Sequence, residues 1–250
     1  MDDKTIQWLK RLNDEFYRDN HASFSSTRAH AWDGWERVIG QGLPDHPSVL
    51  DCACGNMRFR AFLDERIGQS AFTYFGIDSC PELLPPQNKA WFQQVDIIDE
   101  LVNSSLSACV KAPPCDLTVC FGFMHHVPSF EVRASLLRAL VDLTCDDGLI
   151  AVSFWQFARE ESLLNKALET TAFACKLHDI SLDSGDYILG WQEKPGALRY
   201  CHSFEDEEID LLIASCADGV KVVDRFLADG RSGKLNSYVV LRKQFGQEPV

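Results

Sequence analysis

The residues Val49-Leu-Asp-Cys-Ala-Cys-Gly-Asn-Met-Arg-Phe59 decide the fold. An apolar strand over 48–53 runs into a turn of small residues around Gly55, and helical patterning takes over from about Met57. Asp51 stands near the strand's carboxyl end. The next apolar run, Phe72-Thr-Tyr-Phe-Gly-Ile-Asp78, closes on a second acid 23 positions after Gly55 (78 − 55). A doubly wound fold places its ribose-binding carboxylate at about that distance.

The pairing separates two kinds of nucleotide ligand. A dinucleotide pyrophosphate needs several glycines for close backbone approach, and this turn has one. A carboxylate at Asp51 would repel phosphate but receive a cationic group. S-adenosyl-L-methionine meets both conditions, with a ribose to hold, an ammonium tail and no phosphate. Each acid also has a plainer reading, Asp51 as a helix cap and Asp78 as a solvated strand-end acid.

Strand and helix patterns alternate outward from this unit. Strands are expected at 48–53, 72–77, 90–95, 115–121 and 148–154, with helices at 57–67, after Pro81 and over 130–143, and an amphipathic segment over 97–110. Such alternation builds βαβ units around a parallel sheet with right-handed crossovers. Upstream, Ile6, Leu9, Leu12 and Phe16 recur at helical spacing, and a second helix is expected near Trp32–Ile39. Downstream, 159–176 reads as helix, 177–201 as irregular, 204–216 as helix, and 220–226 with 237–241 as a closing hairpin. The division expected is one domain: a helical cap (1–45), a cofactor-binding core (46–158), a substrate lid (159–203), and a closing helix and hairpin (204–243).

The chain has 250 residues, enough for one α/β domain with a full core. Its net charge is −13, which argues against a protein that grips a phosphate backbone unaided. The basic groups near the C-terminus, such as Lys221, Arg225 and Arg242, are diluted by Asp224 and Asp229. Ten cysteines are scattered with no repeated Cys-x-x-Cys pair, and Cys52 and Cys54 are too close to clamp zinc, so no metal site is expected. Reduced buried thiols suit a cytoplasmic protein. No apolar run spans a bilayer, and Met-Asp-Asp-Lys does not read as a secretory signal.

Ligands of an open parallel sheet bind beyond the strands' carboxyl ends. Those ends supply Asp51, Ala53, Cys54, Gly55 and Asn56; Asp78 and Ser79; Asp96 and Ile97; Phe121 with His125 and His126; and Phe154-Trp155. Asp96 serves either as the cap of the helix beginning at 97 or as a contact to the adenine amine. The His125-His126 pair is either functional or a loop satisfied by backbone. Trp32, Trp155 and Trp191 read first as core or rim aromatics.

Taken together, these pieces resemble class I S-adenosylmethionine-dependent methyltransferases. More narrowly, the chain resembles the tRNA wobble 5-carboxymethyluridine methyltransferase family, including its AlkB-fused members. The resemblance rests on Phe24-Ser-Ser-Thr-Arg28 with Trp32, Asp51-Cys-Ala-Cys-Gly-Asn56, Asp78, His125-His126, Val152-Ser-Phe-Trp155 and Arg199-Tyr-Cys-His-Ser-Phe204, spread over about 14–243. It implies a Rossmann-like fold, a doubly wound and mostly parallel seven-stranded sheet with an antiparallel edge hairpin. It also implies a tRNA substrate and a small zinc-binding activator protein as partner. Arg28 reads either as a surface salt bridge or as a cofactor-site residue that holds the N-terminal helix over the cofactor.

A carboxylate acceptor needs no general base, only a cation to orient it, and Arg199 is the candidate. For an amine or hydroxyl acceptor, His126 or His202 would serve as base. The chain departs from the family's pattern at Ala53 and Met57, where glycines are usual. Met57 is expected to crowd the cofactor. Two rival readings follow, a methyltransferase for a small carboxylate or phenol, and a cofactor-binding regulatory partner without activity.

Overall fold

The computed structural model describes residues 1–27, 30–87, 89–178, 180–192, 194 and 196–245. Its core is a seven-stranded sheet. Strands β1 (Ser48–Cys52), β2 (Thr73–Asp78), β3 (Trp91–Gln94), β4 (Cys115–Cys120) and β5 (Thr144–Trp155) run parallel, and β8 (Val220–Ala228) and β9 (Asn236–Lys243) complete it. The order is β3-β2-β1-β4-β5-β9-β8, with β9 antiparallel to both neighbours. Strand order therefore reverses between β1 and β4, the point where an open sheet offers its crevice. The expected mostly parallel seven-stranded sheet and its antiparallel edge hairpin are both present.

Burial explains why the central strands carry so little alternation. Val49, Leu50 and Cys52 in β1 and Leu117, Val119 and Cys120 in β4 are all buried, because helices cover both faces. Helix α6 (Phe130–Asp142) packs on one face through Leu136, Leu137 and Leu140. On the other face, α2 (Gly34–Ile39) and α3 (Arg58–Arg66) bury Trp35, Val38, Phe59, Phe62 and Leu63. The segment 97–110 forms two short helices, α4 (Ile97–Asn103) and α5 (Leu106–Cys109), interrupted at Ser104-Ser105.

Helix α1 (Asp3–Ser26) is the long N-terminal helix, capped by the Asp2 carboxylate, which accepts from the Thr5 amide at 2.8 Å. Its buried face, Ile6, Leu9 and Phe16, follows the periodicity of the sequence. Part of that face meets a unit the sequence did not reveal. The segment read as irregular holds a two-stranded antiparallel sheet, β6 (Asp186–Gly190) and β7 (Leu198–His202). Leu9 of α1, Ala174 of α7 (Glu161–His178), Ile188 and Tyr200 form its small core. Glycines and a proline hid these short strands; the pairing depends on support from α1 and α7. Helix α8 (Asp206–Ala214) leads back to the sheet. No helix among the described residues is long and apolar enough to cross a membrane. All ten cysteines are free thiols.

Candidate active site

A cavity of about 500 Å³ lies over the carboxyl ends of β1, β2, β4 and β5, within the roughly 300–1,000 Å³ range of small-ligand sites. Its wall includes every cofactor-binding candidate from the sequence except Arg28, which lies outside the described residues.

The turn after β1 is built by left-handed backbone at Ala53 (φ 63°), Gly55 (φ 50°) and Met57 (φ 57°). It is anchored to β2: the Cys54 amide donates to the Ile77 carbonyl at 3.0 Å, and the Gly55 amide to Asp78 Oδ2 at 2.8 Å. A Cβ at Gly55 would meet nothing within 4 Å. Space there is open for a ligand. The expectation that Met57 crowds the cofactor is corrected. Its side chain is 3% exposed and packs in the core, its methyl 3.1 Å from where a Cβ on Gly76 would lie. Met57 thus bears left-handed strain of about 1–2 kcal/mol while keeping its thioether out of the crevice.

The acids divide the work. Asp78 accepts from Gly55 through Oδ2 and from the Cys80 amide through Oδ1 at 2.9 Å, leaving further lone pairs for sugar hydroxyls. Burial raises its pKa while the Cys80 and Gly55 amides oppose the shift. Asp51 is 3% exposed and accepts from the Tyr74 hydroxyl at 2.5 Å. Burial pushes it up to about 7, against the Tyr74 hydrogen bond and with help from the charge of Asp78. A bound ammonium would reverse much of that cost. Asp96 caps α4 by accepting from the Asp99 amide at 3.0 Å and also pairs with Lys10 of α1 at 2.5 Å. It fills the cap role and still borders the cavity beside Ile97 and Ile98. An open turn, two strand-end acids and apolar lining from Leu83, Ile97 and Ile98 fit S-adenosylmethionine.

The opposite wall comes from distant chain segments. Tyr17 and Phe24 of α1, Phe121, Phe123, Trp155 and Trp191 line it. His125 and His126 sit in a 3-10 turn after β4, both buried. The Tyr200 carbonyl, which only accepts, lies 2.9 Å from His126 Nδ1, so that nitrogen carries the hydrogen and Nε2 receives the Tyr17 hydroxyl at 2.6 Å. His125, His126 and Cys201 place donor atoms within 4.8 Å of one another. Because both nitrogens of His126 are taken by Tyr17 and Tyr200, the trio reads as a hydrogen-bonded cluster rather than a metal centre.

Arg199 stands just behind this wall at 6% exposure. Its guanidinium lies 5.2 Å from the Trp191 ring centre, 5.4 Å from Phe16 and 5.8 Å from Trp155, and Trp155 and Trp191 face the cavity. Nε and Nη1 have no hydrogen-bond partner among the described residues.

His202 is elsewhere. Its Nδ1 lies 2.7 Å from Asp186 and its Nε2 2.6 Å from Glu208, which also pairs with Arg133 at 2.9 Å. Tyr200 donates to the same Asp186 at 2.7 Å. With both nitrogens held by carboxylates and no face on the cavity, His202 locks β6 and β7 to α6 and α8. The expectation of His202 as a base is replaced by that structural role.

Sequence reasoning missed Tyr17, Arg58, Asp229 and Asn236 on the wall. Asp229 accepts from Asn236 at 2.8 Å, from Tyr238 at 2.6 Å and from the Gly34 amide at 3.2 Å, tying α2 to the β8–β9 hairpin. Only its left-handed backbone (φ 65°) beside Gly230 marked a turn, and nothing in it pointed to a cavity.

No protein-family model matches the chain. An Encephalitozoon cuniculi protein named as a methyltransferase is 24% identical over 217 residues, covering 86% of this chain and 90% of the relative. Among solved structures, an S-adenosylmethionine-dependent methyltransferase from Methanosarcina mazei superposes with a TM-score of 0.60 at 15% identity, over 84% of this chain and 98% of that one. The Burkholderia thailandensis 1,6-didemethyltoxoflavin N1-methyltransferase, with its substrate and S-adenosylhomocysteine bound, gives 0.62 at 15%, over 96% and 90%. An amino pentose methyltransferase from Micromonospora echinaspora with S-adenosylmethionine bound gives 0.54 at 13%, over 90% and 96%. The chain has the class I S-adenosylmethionine-dependent methyltransferase fold.

Proposed function

We propose that the protein is an S-adenosylmethionine-dependent methyltransferase whose acceptor carries a carboxylate, the carboxymethyl group of a tRNA wobble uridine being the acceptor favoured by the resemblance. One observation carries this reading. Arg199 is a buried cation behind the cavity wall whose Nε and Nη1 have no hydrogen-bond partner among the described residues, and such a charge is costly until an anion reaches it.

When bound, S-adenosylmethionine supplies a methyl group already activated by a positive sulfur. Asp51 and Asp78 would hold its amine and ribose, with Ala53, Cys54, Asn56 and Ser79 closing around it and the α4 start at Ile97 bordering the adenine. Arg199 is not itself a lining residue, and would orient an acceptor carboxylate that reaches it past the Trp155 and Trp191 rings, leaving one oxygen lone pair free to react. Trp155 and Trp191 exclude water. No proton has to move, because the nucleophile is already anionic. For an acceptor with a hydroxyl or amine, the Tyr17–His126 pair is the base available on the wall.

A second reading is supported by the net charge of −13 and by structural neighbours named for small-molecule methylation: a small carboxylate as acceptor, without RNA. An assay of methyl incorporation into bulk tRNA, with and without a small zinc-binding activator protein, separates the two. Base-labile methyl ester in tRNA supports the first. Incorporation only into small carboxylates supports the second.

A further inference from the structure

Helix α7 buries one face and leaves another bare. Ala167 packs in a cluster with Phe157 and Cys201, and Ala174 in one with Leu9, Ile188 and Tyr200. The Ile188 amide donates to Thr171 Oγ1 at 2.9 Å. That face braces the β6–β7 hairpin, which carries Arg199. A quarter turn away, Lys166, Thr170, Phe173 and Leu177 recur at spacings of four, three and four, so they share one stripe of the helix. Phe173 is 64% exposed and Leu177 63%. They stand one turn apart and form a continuous apolar patch, which marks a contact surface in a way that scattered single residues do not.

The pattern of the stripe says what covers it. Glu169 and Lys176, both exposed, lie along the same edge of the stripe, two helical turns or about 10.5 Å apart. A second α7 laid antiparallel across a two-fold axis brings Glu169 within reach of the partner's Lys176, and Lys176 within reach of the partner's Glu169. The same axis sets Phe173 against the partner's Thr170, and Leu177 against the aliphatic stem of the partner's Lys166. Laid parallel and in register, the two helices would instead put like charges side by side. A lipid surface would call for a basic border, whereas Glu161 and Glu169 balance Lys166 and Lys176 along α7 and the whole chain carries −13.

We propose that this stripe of α7 is an interface between two copies of the chain, the helices running antiparallel and bracing from outside the hairpin that carries Arg199. Each copy offers the same patch to the other, so the assembly closes at a dimer. A single helix pair covers less than the roughly 1,200–2,000 Å² of a stable complex, so the dissociation constant is expected on the order of 10 µM.

Sedimentation velocity of the full chain over about 1–300 µM should show a reversible monomer–dimer equilibrium and nothing larger. Phe173→Glu and Glu169→Lys should each weaken it about tenfold or more, with far-ultraviolet circular dichroism unchanged because both side chains are exposed. Combining Glu169→Lys with Lys176→Glu should return the dissociation constant to within about threefold of wild type, since the exchanged charges meet again. A wild type that stays monomeric throughout overturns the proposal. A dimer indifferent to Phe173→Glu also overturns it, because the contact would then lie on another face. A double variant no better than Glu169→Lys rules out the antiparallel pairing. Flotation with vesicles of phosphatidylcholine, alone or with phosphatidylserine, tests the other occupant: a monomer that floats only while Phe173 is intact makes the stripe a lipid contact and sinks the dimer.

Discussion

The two ends of the cavity bury charge in opposite ways. At the strand ends, each acid is met by nearby protein: Asp78 by the Gly55 and Cys80 amides, Asp51 by the Tyr74 hydroxyl. Behind the opposite wall, Arg199 sits among Phe16, Trp155 and Trp191 with two nitrogens that have no hydrogen-bond partner among the described residues. The contrast is sharpest on the same strand, where the Tyr200 hydroxyl and both His202 ring nitrogens meet the carboxylates of Asp186 and Glu208. Neighbouring positions on one strand thus differ: Tyr200 and His202 are tied to carboxylates, while two Arg199 nitrogens have no hydrogen-bond partner among the described residues. The carboxylate contacts of Tyr200 and His202 tie β7 down, and with it the backbone that carries Arg199.

The largest effect should come from breaking the satisfied side. Asp186→Ala removes the partner of both His202 and Tyr200 and takes one carboxylate away from the buried Arg133 guanidinium. Chemical denaturation should show a loss of about 3–5 kcal/mol. A loss under 1 kcal/mol would mean the network is not what fixes the hairpin.

Arg199→Met should do the reverse. Turnover falls more than tenfold with cofactor affinity retained, while the unfolding midpoint rises by about 2–4 °C, as expected if roughly 1 kcal/mol of uncompensated charge burial is relieved in a chain of this size. Unchanged turnover would remove Arg199 from the acceptor site. A fall in midpoint would show that its ring contacts outweigh its unpaired charge.

A smaller effect separates the walls by pH. Burial pushes the Asp51 carboxyl up to about 7 in the fold, from an ordinary value of 3.8. Because the folded group holds its proton more tightly, its contribution to stability is greatest below the unfolded value and declines as pH rises from about 4 to about 7. Cofactor affinity runs the other way, since an ammonium favours the carboxylate: it should climb toward tenfold per unit between pH 5.5 and 7, then level off. Calorimetry of Asp51→Asn over that range should give weaker binding with a flattened profile. An equally steep profile in the variant would assign the titration to another group.

The smallest effect is expected at Met57. Met57→Gly relieves left-handed strain but leaves a hole against Gly76, so cofactor affinity should stay within about twofold. A large gain in affinity would mean that the thioether reaches the crevice after all.

The strand-end wall was legible in the sequence because its parts are close in the chain and its constraints are local. A strand, a small-residue turn and an acid 23 positions on must be neighbours once parallel pairing is inferred, and Asp51 does pair with Gly76 in that register. Asp96 was ambiguous because a capping acid and a ligand-binding acid look identical in sequence; here Lys10 and the Asp99 amide claim it while it still borders the cavity. Met57 was misjudged because a left-handed residue names a backbone angle and not the direction of its side chain. His202 was misplaced because its neighbour Arg199 lies beside the cavity wall while it does not, an alternation visible only once 198–202 is known to be a strand.

The sequence by itself determined the doubly wound sheet, the reversal point that opens the crevice, and the two acids at its lip, because hydrophobic periodicity and turn chemistry act over a few residues. Tertiary structure alone decided the rest. It joined Tyr17 to His126 across 109 positions, placed Arg199 among rings from α1, β5 and the loop before β7, and set Arg58 under Trp32. Such contacts depend on how whole elements dock, and docking is driven by buried area that no single residue's neighbours in sequence encode.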